Sequence, residues 1–312
     1  DYITYDIFQQ SKVIATNLVG ASHHSLKGKT FTVVFIDEAG QGLEPATWIP
    51  ILKAQKVVMA GDHCQLPPTV KSFKAGKDGL KETLFEKVIQ RQPLMSSLLT
   101  LQYRMPEIIM GFSNQEFYHG ALQAAENTKY HLLDDGESQM LFIDTAGSGY
   151  LEHLEKDSLS TANYEEAKFT LGYLENMLST LGGETIIAKK WEVGLISPYR
   201  AQVRRFKELA MDTSTYPTLS QIGEQLTIDT IDGFQGQERD IMVISLVRSN
   251  PKGEIGFLSD TRRMNVALTR AKRKLVVIGD SATISNHPFY QNFLNYVETH
   301  SLYKSIYEFL TF

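Results

Sequence analysis

Four continuous apolar runs, each delivered into a cluster of polar residues, organise this chain. Val33-Val34-Phe35-Ile36 opens into Asp37-Glu38-Ala39-Gly40, and Lys56-Val57-Val58-Met59-Ala60 into Gly61-Asp62-His63-Cys64-Gln65-Leu66-Pro67-Pro68. Val193-Gly194-Leu195-Ile196 leads to Ser197-Pro198-Tyr199-Arg200, and Lys274-Leu275-Val276-Val277-Ile278 to Gly279-Asp280. None of the runs alternates, so each predicts a strand covered by helices on both faces. Ligands on such sheets bind beyond the carboxyl ends of the strands, which makes the polar clusters a candidate site. Between the strands lie helical patterns. Asn163-Tyr164-Glu165-Glu166 predicts a helix start with an N-cap and an acid three residues on, Ala167, Leu171, Leu174, Leu178 and Leu181 form one apolar face, and Gly182-Gly183 ends it. Strands alternating with helices predict an α/β fold with parallel sheets. Polar stretches at 121–138, 147–160 and 211–223 predict surface loops, and there is no internal repeat. Phe289, Phe293 and Tyr296 fall at helical spacing and predict a packing face.

Composition narrows the class. The 312 residues, 42% apolar, suffice for two domains of ordinary size. No apolar stretch approaches the roughly 20 residues of a membrane span, and Asp1-Tyr2-Ile3-Thr4-Tyr5-Asp6 lacks the basic start of a signal peptide, so an intracellular protein with no membrane partner is expected. The single cysteine, Cys64, excludes an intramolecular disulfide and reads as a small packed side chain; no Cys/His spacing suits structural zinc. A net charge of −5 argues against a basic surface, so contacts with nucleic acid must come from local clusters. One runs from Asp260 to Lys274, where Arg262, Arg263, Arg270, Lys272, Arg273 and Lys274 stand against one acid. Asp37 and Glu38 have no basic neighbour in sequence, and adjacent carboxylates kept at a strand end call for a divalent metal or a water to be activated. Taken alone, that pair would better suit a solvated strand end followed by a turn; the recurrence of the same design at the other runs is what favours a site.

Five motifs taken in order carry a resemblance. Phe35-Ile36-Asp37-Glu38-Ala39, Gly61 to Pro68, Gln102-Tyr103-Arg104-Met105, Thr230-Ile231-Asp232-Gly233-Phe234-Gln235-Gly236-Gln237-Glu238 and Arg263-Met264-Asn265-Val266-Ala267-Leu268-Thr269-Arg270-Ala271 resemble superfamily 1 helicases of the Upf-type branch, over nearly everything from Val13 to Asp280. The resemblance implies RecA-like parallel-sheet domains with helices on both faces, a partial one at 1–96 and a complete one at 97–312. It implies an ATP-dependent helicase or translocase that uses ATP and Mg²⁺ and acts on single-stranded nucleic acid, DNA or RNA. By motif, Asp37 would hold Mg²⁺ through water and Glu38 would orient and deprotonate the attacking water. Gln65 resembles the γ-phosphate sensor, with Gly61 and Asp62 in the same nucleotide-facing motif. Arg104 and Arg270 resemble the pair that reaches the γ-phosphate, a role suited to a rigid, always-charged fork. Gly236 and Glu238 match the motif near the nucleotide sugar and metal. Ser197, Pro198, Tyr199, Arg200 and Thr230 match positions lining the strand channel. From the residues themselves, Tyr199 packed under its own loop, and Arg200, Arg204 and Arg205 as a solvated helix face, remain equal alternatives.

One part of the family pattern is missing. The phosphate-cradling GxxxxGK[ST] does not occur: Gly28-Lys29-Thr30 supplies its last three letters, but the position of its first glycine is His23, and the residues after Thr30 read as a strand where that loop opens a helix. Gly28-Lys29-Thr30 is therefore expected to be a turn. In the family the phosphate loop lies N-terminal to the segment that Val13 to Ala21 resembles, so the chain reads as a fragment beginning within the first motor domain, and by itself it is expected to hydrolyse little ATP. The rival reading is a nucleic-acid-binding or regulatory module on the same fold without hydrolysis. Asp37, Glu38, Gln65, Arg104 and Arg270 together favour the enzyme.

Overall fold

The computed structural model describes residues 2–133, 135–234 and 236–310; Gln235 of the fourth motif lies outside them. The chain divides into two compact units, Asp1–Leu98 and Leu99–Phe312, two residues beyond the expected boundary.

In the first unit, β1 (Phe31–Ile36) and β2 (Ala54–Met59) pair in parallel, with Ile36 opposite Met59. The Glu44–Ile51 helix connects them and packs on β2, and the Leu84–Arg91 helix packs near the 39–41 turn. That second helix starts with a complete capping box: Thr83 Oγ1 accepts from Glu86 N at 3.1 Å while Glu86 accepts from Thr83 N at 2.9 Å. Gly28, with φ of +73°, turns the chain just before β1, as expected of Gly28-Lys29-Thr30. The expected burial is not met. Phe35 is 76% exposed, and Val57 and Val58 are also exposed. Apolar runs identified the strands correctly, but two strands with one connecting helix present more apolar face than the elements of this unit cover.

The second unit begins with a short parallel pair, β3 (Leu101–Gln102) and β4 (Gln123–Ala124). It continues through β5 (Met140–Asp144), the antiparallel hairpin β6 (His153–Glu155) and β7 (Ser160–Ala162), β8 (Val193–Ser197), β9 (Leu226–Thr230), β10 (Arg239–Ser245), β11 (Ala271–Gly279) and β12 (Tyr303–Ser305). Six of these form an all-parallel sheet in the order β12-β5-β11-β10-β8-β9. Here the continuous apolar runs are fully covered: every residue of β5 and β8 is buried.

The helix expected from Asn163 is Tyr164–Leu181; Asn163 Oδ1 accepts from Glu166 N at 3.0 Å, Ala167, Leu171, Leu174 and Leu178 are buried, and Gly182 at φ +80° ends it. Its capping is only half as expected. Glu166 does not reach back to Asn163, whose N–H donates to Gln202 Oε1 at 2.9 Å. Instead Glu166 turns inward, and its Oε1 accepts from Ser245 Oγ at 2.6 Å and Val247 N at 2.9 Å. The three expected loops also contain structure. The 121–138 stretch holds β4 and a 3-10 turn, 147–160 holds most of the hairpin, and 211–223 holds the Pro217–Gln221 helix. Buried Glu175 satisfies the start of that helix by accepting from Thr218 N at 2.8 Å and Leu219 N at 2.9 Å, a long-range partner that no local pattern reveals. Phe289, Phe293 and Tyr296 are buried on the Pro288–Thr299 helix around Phe112, at ring separations of 5.1, 5.2 and 5.9 Å. No helix among the described residues is long and apolar enough to cross a membrane.

Candidate active site at the strand ends

β1 runs out at Ile36, and Asp37 and Glu38 follow it, both exposed. Asp37 Oδ1 accepts from the Glu38 N–H at 2.9 Å, and Glu38 Oε2 accepts from Gln41 Nε2 at 2.6 Å. Glu38 sits in the left-handed region at φ 51°, ψ 38°. That conformation costs a non-glycine residue on the order of 1 kcal/mol, and such strain concentrates at functional sites. The exit of β2 is pressed against this turn. Ala39 N donates to Ala60 O at 2.8 Å, a Cβ on Gly40 would meet Asp62 O at 2.8 Å, and one on Gly61 would meet Gly40 N at 2.9 Å. Glycine is required on both sides of the contact. Asp62 then holds its own loop: Oδ1 accepts from Cys64 N at 2.9 Å and Oδ2 from Gln65 Nε2 at 2.8 Å. Asp37, Glu38, Gly61, Asp62 and Gln65, separate in sequence, thus belong to one pair of interlocked turns.

A second group forms in the other unit. Arg104 Nε pairs with Glu238 at 2.6 Å and its Nη1 donates to Thr269 O at 3.1 Å; Lys272 reaches the same carboxylate at 3.9 Å. Arg270 is buried, with Nε donating to Val266 O at 3.0 Å and Nη1 to Gln237 O at 3.3 Å. Gly236, at φ +72°, makes the turn that brings Gln237 and Glu238 there. The structure therefore gathers Arg104, Arg270, Gly236 and Glu238 around the start of β10.

The positions matched to the strand channel lie at the carboxyl ends of β8 and β9, with Ser197 in register with Thr230. Ser197 is buried, and its Oγ accepts from Tyr199 N at 3.4 Å. Pro198 and Thr230 are half-buried, the latter accepting from Gly233 N at 3.3 Å, while Arg200 is exposed at the start of the Arg200–Leu209 helix. Tyr199 is packed under its loop. Its ring is buried and its hydroxyl accepts from Arg248 Nη1 at 3.3 Å and Phe257 N at 3.2 Å, so it offers no face to a ligand in this state. Arg204 pairs with Glu155 and Arg205 with Glu208 at 3.3 Å.

The basic run at 260–274 is largely engaged within the fold. Arg263 pairs with Asp232 at 2.9 Å, Arg273 with Asp240 at 3.0 Å, and buried Lys274 with Asp135 at 2.8 Å, burial pushing the Lys274 ammonium below its usual range. Linear charge counting missed these acids because they come from other elements. Sequence reasoning also missed Arg248, which pairs with Glu152 at 2.8 Å and braces Tyr199. The signal was available, since Ile241 to Val247, apolar except at Ser245, is another such run and opens into Arg248-Ser249-Asn250.

Residues 80–282 match a family model described as an AAA domain, and residues 2–73 match a second of the same description. The chain belongs to the superfamily 1 helicases of the Upf type. It is 37% identical over 311 residues to the DNA-binding protein SMUBP-2 of Mesocricetus auratus, covering 96% of this chain and 30% of that one. It is 35% identical over 328 residues to the DNA polymerase alpha-associated DNA helicase A of Schizosaccharomyces pombe, covering 98% of this chain and 47% of the relative. It is 34% identical over 297 residues to a regulator of nonsense transcripts 1 homolog of Neurospora crassa, covering 93% and 26%. The chain thus spans less than half the length of each of these relatives.

Proposed function

We propose that this chain forms part of the motor of an ATP-dependent helicase or translocase acting on single-stranded DNA or RNA. The observation that carries the reading is the interlocked pair of turns, which holds two exposed carboxylates, one of them strained, beside Gln65. The hard, exposed oxygens of Asp37 fit Mg²⁺, which when bound would neutralise charge on the phosphates of ATP. Glu38, fixed by its backbone and by Gln41, would take the proton from an attacking water. Gln65, aimed by Asp62, would report the γ-phosphate to the rest of the molecule.

Arg104 and Arg270 would neutralise charge that develops on the transferred phosphoryl group, and Glu238 would hold the Arg104 fork until nucleotide displaces it. In this reading Asp1–Leu98 is the C-terminal part of one RecA-like domain and Leu99–Phe312 a complete second one. Ser197, Pro198, Arg200 and Thr230 would line the path of the strand, with Tyr199 positioning them from below. The test is ATP hydrolysis by the full-length protein with and without a single strand. Hydrolysis stimulated by the strand supports the reading, and rates identical with and without it would remove the motor assignment.

A further inference from the structure

Phe257 is 58% exposed, yet the turn that presents it is braced at every step. It lies in the 3-10 turn Gly256–Ser259, where the next residue, Leu258, is buried and its carbonyl accepts from Tyr290 OH at 2.8 Å. The Phe257 N–H donates to the Tyr199 hydroxyl at 3.2 Å, and the two rings lie 5.4 Å apart. Ahead of the turn, Asn250 closes the loop by donating to Glu254 O at 2.8 Å and accepting from Glu254 N at 3.0 Å. Gly256 is at φ +52°, and a Cβ there would come within 2.0 Å of Arg248 Nη1 and 2.7 Å of the Tyr199 hydroxyl. Only glycine lets the turn settle onto that pair.

A single exposed apolar side chain is ordinary on a protein surface. Here burial of Leu258 and the bonds to Tyr199 and Tyr290 order the turn, and that ordered turn holds a phenyl ring with more than half of its surface turned outward. The pedestal also has a definite place. Tyr199 follows β8, so the ring stands at the sheet edge that carries Ser197, Thr230 and exposed Arg200, with exposed Lys252 on the same loop. The half-buried Thr230 hydroxyl and the exposed Arg200 and Lys252 cations there suit phosphates, and a rigid ring beside them suits the face of a base, since every base has a π-face to offer.

We propose that Phe257 is a base-stacking residue, on which a base of the bound single strand lies while neighbouring polar groups hold its phosphates. This rests on the reading of that edge as the strand channel. The test is a fluorescence-anisotropy titration of the full-length protein against labelled single-stranded DNA and RNA, each with an abasic-backbone counterpart. Phe257→Ala is expected to weaken binding of the base-bearing strand about five- to hundredfold and leave binding of the abasic strand unchanged, with Phe257→Trp retaining affinity for both. Equal weakening of both strands, no effect on either, or loss in Phe257→Trp at an unchanged melting temperature would overturn the stacking role while leaving the channel intact. A wild-type protein that binds no single strand would overturn the channel, and the stacking role with it.

Discussion

Glu166 offers a stability prediction worked from the structure. Its side chain is fully buried beneath the sheet, with Oε1 bonded to Ser245 and Val247 and Oε2 without a hydrogen-bond partner. Burial pushes its carboxyl from 4.5 up to about 7, against the opposing pull of those two bonds, and nearby Asp280 adds to the rise. A carboxyl raised in the folded state holds its proton more tightly there than in the unfolded chain. Its contribution is therefore greatest below pH 4.5, declines as the pH rises from 4.5 to about 7, and is level above that. At about 1.4 kcal/mol per pH unit the whole window is worth roughly 3 kcal/mol, of which about 2.5 falls between pH 5 and pH 8. Glu166→Gln removes the titration. Whatever fixed cost the amide carries, the stability of the variant minus that of the parent should rise by about 2.5 kcal/mol from pH 5 to pH 8. The assay is urea unfolding followed by the fluorescence of Trp191, which lies in the same unit, in a Trp48→Phe background that silences the tryptophan of the other. A difference that does not change with pH, or that falls, would refute the reasoning.

Two further outcomes follow from the site. Gly40→Ala places a methyl group 2.8 Å from the Asp62 carbonyl, so the two turns must separate; kcat of the full-length protein should fall about tenfold or more while the melting temperature of the Leu99–Phe312 unit is unaffected. Arg270→Lys keeps the charge but loses the fork bonded to Val266 and Gln237; kcat should fall by about 10²-fold or more with little change in the KM for ATP, alongside a modest stability loss of about 1–2 kcal/mol. A loss of activity wholly explained by unfolding would return Arg270 to a structural role.

The parts of the fold legible in the sequence are those dictated by local pattern. The runs ending at Ile36, Met59, Ile196 and Ile278 are all strands in parallel sheets, and Asn163 and Gly182 bound their helix as their chemistry requires. What escaped depends on partners distant in the chain. Glu166 looks like a capping residue until Ser245 and Val247 are brought beside it. The basic run looks like an open patch until Asp135, Asp232 and Asp240 meet Lys274, Arg263 and Arg273. Phe35 and Val58 read as buried because apolar composition reports what a residue prefers, and says nothing of how many elements are present to cover it. The site divides in the same way. Asp37 and Glu38 announce themselves as adjacent carboxylates, whereas Phe257 acquires meaning only from the Tyr199 hydroxyl beneath its backbone.

The central claim is that the β1 exit performs ATP hydrolysis with Glu38 as its base. Its most direct test is Glu38→Gln in the full-length protein, measuring strand-stimulated phosphate release together with Mg²⁺-dependent nucleotide binding. The substitution keeps the shape of the side chain and its left-handed backbone while removing the proton acceptor, so binding should persist and release should fall by about 10²-fold or more. Turnover close to that of the parent protein would contradict the assignment of Glu38 as base and the account built on it.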